Sequence, residues 1–250
     1  MGEYGREQLE VASLLETYHV GLYRTEEERV ELDHKGMAAI GVETDDGPHL
    51  RGPFIVQGIE ALTEELIRKV YCRYHHLPME ILRTKRTILR EMDPGKDIDG
   101  LFELYRGEGM TDYVEDLYSY EEELEYERSY VEKIYALYDF GMWNVFDQKE
   151  GRLIGRAGLE ERSLEVDVTI GEDDSWLELG YMIDARLQGR GLGYEVCSAI
   201  LSYAREFGRH AFYCRIHPEN LPSVRLAEKL GFCVYCTNFS EGEDLWFLVD

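Results

Sequence analysis

Apolar positions recur along this chain in two rhythms, and the two alternate. Spacings of three and four predict helices over Glu7–Tyr18 (Leu9, Ala12, Leu14, Leu15), Thr25–His34 and Ile59–Arg73 (Leu62, Leu66, Val70, Tyr71). Short strand-type runs lie between them, at Val20–Tyr23, Ala38–Val42 and Phe54–Val56. Thr25 precedes Glu26, Glu27 and Glu28, which is a helix start with acids where the helix dipole favours them. Gly36 ends that helix. Helix and short strand in alternation imply a small parallel α/β unit over residues 1–80. Leu77–Lys85, with Pro78, reads as a connector.

A second body occupies residues 84–250. Arg86–Met92 alternates as a strand. Asp93 caps a helix from Pro94, a residue suited to the first helical position, to Tyr105, and Gly107 and Gly109 break it. Ser119 with Glu122 forms a capping-box pattern for a helix over Tyr120–Tyr138. Its apolar side would be Leu124, Tyr130, Val131, Ile134, Leu137 and Tyr138. Gly141–Phe146 and Arg152–Leu159 flank a polar turn and predict a hairpin. Leu164–Ile170 reads as an irregular edge strand and Trp176–Ile183 as the next strand. A glycine-rich turn and a helix over Tyr194–Phe207 come next. Then Ala211–Ile216 (strand), Leu221–Leu230 (helix) and a closing hairpin, Cys233–Asn238 with Asp244–Val249, complete the chain.

Composition narrows the function. An apolar fraction of 44% can supply a real core. The longest apolar runs are too short to span a bilayer, and the charged start has no signal-type apolar region behind it. Five cysteines, an odd number, suit a reducing compartment, so the expected location is cytoplasmic. A net charge of −24 argues against nucleic acid and against an anionic membrane surface. It favours a cationic substrate by long-range steering, although solubility alone also explains it. The charge is uneven: Asp112–Glu132 holds nine acids against a lone Arg128. These acids are either a solvated helix face or the rim of a cleft.

The most informative stretch is Leu177–Phe232. A strand runs into Gln188-Gly189-Arg190-Gly191-Leu192-Gly193 and out into a helix. Glycines let the backbone approach a phosphate, and the helix N-terminus adds positive dipole. The turn lacks the Gly-Lys-Ser/Thr of a P-loop, and Tyr194 stands where a dinucleotide fingerprint needs its third glycine. It fits Gln/Arg-x-x-Gly-x-Gly/Ala. With Glu178-Leu179-Gly180-Tyr181 before it, and Asn220-Leu221-Pro222-Ser223 and Leu226–Phe232 after it, the chain resembles the GNAT N-acetyltransferases. The similarity is to the branch that includes the ribosomal-protein N-acetyltransferases.

That resemblance implies an α/β (α+β) fold with a mixed central sheet and flanking helices. It also implies transfer of acetyl from acetyl-CoA to a primary amine, with no metal. Gln188, Gly189, Arg190, Gly191, Leu192 and Gly193 would hold the pyrophosphate. The backbone of Tyr181, Met182 and Ile183 would pair with the pantetheine arm, Gly180 permitting a bulge or close approach. Glu178 is the candidate general base, through water, with a surface strand carboxylate as the plain alternative. Asn220 and Ser223 match the branch's Asn-x-x-Ser. Asn220 is also an ordinary N-cap, and Ser223 could hydrogen-bond the thioester sulfur. Many of these enzymes use a tyrosine in this helix to protonate the CoA thiolate; the matching residue here is Ala227, so that device is missing. Glu195 reads as structural. A small molecule or a protein N-terminus would be the acceptor. The alternative is a non-catalytic acyl-CoA sensor or regulatory module.

The first segment, through Lys35–Val42 and Leu50–Val56, resembles the terminal half of a haloacid-dehalogenase-like domain. The nucleophile motif is absent, and Arg24 and Thr25 stand where metal-binding acids would fall, so the segment is expected to be catalytically empty: a packing module or a homodimer contact. His75-His76 is expected to be a solvated helix end, since neighbours on a helix diverge. Cys233 and Cys236 are expected to face opposite sides of a strand.

Overall fold

The computed structural model describes residues 3–138, 140–161, 176–240 and 242–249. The chain divides into two units, Met1–Met79 and Glu80–Asp250.

In the first unit, threonines start the helices. The Thr25 hydroxyl accepts from the Glu28 N–H at 3.3 Å and Thr63 from that of Leu66 at 3.2 Å. The elements are α1 (Glu3–Thr17), β1 (Val20–Tyr23), α2 (Glu26–His34), β2 (Ala38–Glu43), β3 (Ile55–Gln57) and α3 (Glu64–Tyr74). The three strands pair in parallel in sequence order. Val20, Ala38, Ile40, Leu62, Ile67 and Val70 are the core. The helix expected from Ile59 starts later. Ile59–Ala61 is a single 3-10 turn, Leu62 turns extended to bury itself, and Thr63 caps α3. His75 caps the end of α3 and His76 has φ +52°.

The second unit is built on one eight-stranded sheet. Its elements are β4 (Glu80–Arg83), β5 (Thr87–Arg90), α4 (Pro94–Tyr105), α5 (Tyr120–Leu137), β6 (Met142–Asp147), β7 (Leu153–Glu161), β8 (Leu177–Ile183), α6 (Leu192–Glu206), β9 (Ala211–Ile216), α7 (Leu221–Leu230), β10 (Cys233–Ser240) and β11 (Glu243–Val249). The spatial order is β10-β11-β9-β8-β7-β6-β5-β4. Every pairing is antiparallel except β8 with β9, which α6 connects as a parallel crossover.

Three expectations are corrected here. The connector at Leu77–Lys85 contains β4, which pairs with β5 at the sheet's outer edge. The acids of α5 are not all solvated: Glu123 and Glu127 are buried, Glu127 against the Arg156 guanidinium at 2.8 Å, while Tyr138 is exposed. A bulge at Tyr235 sets Cys233 opposite Phe247 and Cys236 opposite Leu245, so the two cysteines stand opposite residues of one face of β11. The strand expected at Leu164–Ile170 lies outside the described residues.

β7 explains how the core is arranged. It is buried from Leu153 to Leu159 because both its faces are covered. Arg156 and Glu160 meet Glu127 and Tyr130 of α5 on one face. On the other, Ala157 and Leu159 join a core with Val196, Cys197 and Ile200 of α6, and with Phe212, Ala227 and Trp246. Gly158 permits the β6–β7 approach, since a Cβ there would stand 1.9 Å from the Gly141 carbonyl oxygen.

Candidate functional site

β8 has two unlike edges. Against β7 it is paired without interruption from Leu177 to Ile183. Against β9 it is paired only at Leu177–Phe212 and Glu178–Tyr213. Beyond that point the parallel strands part, and on this side the backbone of 179–183 has no ladder partner among the described residues. Such an edge needs acceptors and donors from elsewhere. Tyr181, Met182 and Ile183 lie on it. Gly180 makes no bulge, since the β7–β8 register is regular there; the Met142 sulfur sits 3.2 Å from where its Cβ would be.

The open edge runs into the glycine turn. Asp184 is buried at its start and accepts from the Arg186 guanidinium (2.7 Å at the shortest), from Arg152 (3.0 Å) and from the Arg186 N–H (3.0 Å). The Arg186 hydrogen bonds, with Arg152, hold the carboxyl well below the usual carboxylate range against its burial. The Gln188 side-chain amide donates to the Ile183 carbonyl at 2.9 Å, tying the turn to the strand. Gly189 and Gly191 have φ of +72° and +76°, which favours glycine. Gly191 is the N-cap of α6 and supplies no side-chain cap. The N–H groups of Leu192, Gly193 and Tyr194 therefore open the helix without an internal acceptor. Leu192 is buried and anchors the turn, whereas the Arg190 side chain is exposed.

α7 stands on the α6 side of the sheet. Asn220 caps it, accepting from the Ser223 N–H at 3.3 Å. The Tyr181 hydroxyl donates to the Ser223 carbonyl at 3.3 Å, so the open edge of β8 is tied to the first turn of α7. Burial pushes the Tyr181 phenol well up. The Ser223 hydroxyl has no partner among the described residues. Ala227, one turn on, is buried in the core.

Glu178 lies on the opposite face of β8, where the strands begin to part. It accepts from the Arg215 Nε at 2.9 Å and from the Tyr213 hydroxyl at 3.3 Å, both on β9. Arg215 also approaches Glu243 of β11 at 3.8 Å. Glu160 of β7 stands directly across from Glu178, and its carboxylate takes the Tyr130 hydroxyl at 2.7 Å. Each of the two neighbouring carboxylates thus has its own donor. Glu178 and Ser223, the two candidate catalytic residues, flank the opening from opposite sides of the sheet. Sequence reading missed Arg215, although a lone charge in the apolar run Ala211–Ile216 marks it. Farther out, the Tyr113 ring packs on that of His217 (centroids 5.3 Å apart), bringing the connection between α4 and α5, with exposed Asp112, Glu115 and Asp116, to the carboxyl end of β9.

A parallel pair that opens onto a glycine turn and a helix N-terminus, within a mixed sheet, is the architecture of an acyl-CoA N-acyltransferase. A family model of the GNAT acetyltransferase domain matches residues 86–233. The chain belongs to that family, whose members are acetyl-CoA-dependent acetyltransferases. It is 32% identical to YkkB of Bacillus subtilis over 97 residues, 38% of this chain. The aligned stretch spans about half (51%) of YkkB. Among solved structures, a Bordetella pertussis protein described as a GNAT-family acetyltransferase is 27% identical, with a TM-score of 0.54 over 68% of this chain and 98% of its own. RimL, a ribosomal L7/L12 α-N-protein acetyltransferase, shares the fold at 18% identity, with a TM-score of 0.56 over 70% of this chain and 97% of its own. The family match begins at Arg86, so the resemblance of the first segment to half a haloacid-dehalogenase-like domain rests on its residues alone. Among the described residues no group of His, Cys, Asp and Glu could hold a metal ion, and no helix is long and apolar enough to cross a membrane.

Proposed function

We propose that the protein transfers acetyl from acetyl-CoA to a primary amine, with cationic acceptors favoured. The observation that carries this is the edge of β8, without a ladder partner among the described residues beyond Glu178, running straight into an uncapped helix N-terminus. The pyrophosphate meets the N–H groups of the 188–193 turn, and the pantetheine arm takes the place of a strand beside Tyr181, Met182 and Ile183. The thioester then reaches the point where β8 and β9 separate. The amine approaches on the Glu178 face, and Glu178 takes its proton through a water. The thiolate leaves on the α7 face, where the Ser223 hydroxyl is the nearest uncommitted donor on α7's first turn. Proton removal and thiolate stabilisation are thereby separated across the sheet, which keeps the two charges apart as they develop.

Acceptor preference rests on electrostatics. Glu160, Glu178 and Glu243, with the acids of the α4–α5 connection, favour an ammonium-bearing molecule. A protein N-terminus, the acceptor of RimL, and a small cationic amine both satisfy that chemistry. We place the protein in the cytoplasm and read residues 1–80 as a separate accessory domain that packs or dimerises. The test is CoA release from acetyl-CoA across a panel of amines and N-terminal peptides. Turnover on cationic acceptors, lost in Glu178→Gln, is expected. Turnover confined to neutral or acidic acceptors would overturn the acceptor reading.

A further inference from the structure

A carboxylate in the first turn of α6 is a conflict. Phosphate would bind there to N–H groups and dipole, and Glu195 would repel it. The fold resolves this from the other end of the domain. Thr84 and Arg86, just before β5, lie against α6. Glu195 Oε1 accepts from the Thr84 hydroxyl at 2.7 Å and from the Arg86 N–H at 2.8 Å, and Oε2 accepts from Arg86 Nε at 2.7 Å. These bonds hold the carboxyl below its ordinary range even though burial works against them. Glu195 is thus ionised and neutralised in place.

The same three bonds aim the guanidinium. Its Nη1 donates to the Arg190 carbonyl, inside the glycine turn, at 2.9 Å. Its Nη2 lies 3.9 Å from where a Cβ on Gly191 would stand, and has no partner among the described residues. The fork of Arg86 therefore runs along Arg190–Gly191, the segment whose N–H groups precede the helix. An arginine held by a carboxylate at Nε and by a carbonyl at Nη1, with Nη2 left over, suits phosphate recognition.

We propose that Arg86, positioned by Glu195 and Thr84, is an acetyl-CoA-binding residue: it fixes the turn through the Arg190 carbonyl and presents Nη2 to the pyrophosphate. This rests on the reading that the 188–193 turn holds that group. The experiment is calorimetric titration of the full chain with CoA and with pantetheine, which lacks every phosphate. Thermal melts run alongside. Arg86→Gln is expected to weaken CoA binding by about tenfold or more, the size of one lost charge-assisted hydrogen bond. Pantetheine binding and the melting temperature stay near wild type. Arg86→Lys, which keeps the charge but cannot span three partners, recovers part of the loss. Glu195→Gln leaves Arg86 less constrained and falls between. Wild-type CoA affinity in Arg86→Gln, or equal losses for CoA and pantetheine in both Arg86 variants, would overturn the proposal. Gly191→Val separates the two readings. If it abolishes CoA binding while Arg86→Gln does not, only the Arg86 inference fails; if neither matters, the turn itself has been misassigned.

Discussion

The two edges of β8 are made of the same residues and behave oppositely. Toward β7 every residue from Leu177 to Ile183 is paired, and the side chains beyond form a closed block with α4 and α5. Toward β9 pairing stops at Glu178. The closed edge gives the strand a fixed position; the open edge leaves a fixed row of backbone groups with no ladder partner among the described residues. Preorganisation here is asymmetry in one strand. Ion pairs obey the same division. Arg156–Glu127 sits inside the closed block with side chains 9% and 0% exposed, while Arg215–Glu178 sits at the opening with 31% and 13%. The first pair should matter to folding and the second to chemistry.

The largest effect should break the closed side. Glu127→Ala leaves the Arg156 guanidinium buried without its carboxylate, and is expected to cost about 3–5 kcal/mol in urea unfolding. A loss under about 1 kcal/mol would mean the block tolerates a bare cation, and the contrast with the open side would collapse. On that open side, Glu178→Gln is nearly isosteric and keeps an acceptor for Arg215. It should lower kcat roughly a hundredfold, the range of a lost general base, while the melting temperature barely moves. Equal losses in stability and rate would make Glu178 a second structural carboxylate.

How much of this was legible depends on whether the cause was local. α4 runs from Pro94 to Tyr105 as expected, because Asp93 and Pro94 decide its start within one turn. Ser119 and Glu122 likewise fix the start of α5. β4 escaped because four residues with mixed burial at a sheet edge carry no alternation, and Pro78 nearby reads as a linker. That the glycine turn holds an anion is our proposal; its shape was legible because φ above zero and an uncapped helix start arise from glycine itself. Its partners were not. Arg86 and Glu195 are 109 residues apart, and Glu178 and Arg215 are 37 apart. Only folding shows that each carboxylate has a cation waiting.

Asp184 joins the two regimes, since β8 ends and the turn begins there. Its folded carboxyl titrates below the unfolded value, so it contributes stability above about pH 4 that is lost as the pH falls through and below that range. Asp184→Asn should therefore cost about 2 kcal/mol at pH 7 and somewhat less at about pH 3, with the difference continuing to shrink as the pH falls further toward the lowered folded value. A pH-independent difference would mean that the side chain's shape, rather than its charge, holds Arg186 and Arg152.

The smallest effect sharpens the comparison most. Tyr181, on the open edge, reaches across to α7 through its hydroxyl on the Ser223 carbonyl. Tyr181→Phe removes that single bond and keeps the ring, so the stability loss should be about 1 kcal/mol or less. If the bond only ties α7 down, acetyl transfer falls no further than stability does. If it holds Ser223 facing the thiolate, kcat falls severalfold while the affinity for CoA, governed by the turn, is unchanged. The second result is expected, because the bond lies on the α7 face of the opening and the turn's own restraints, through Gln188 and Asp184, are left intact.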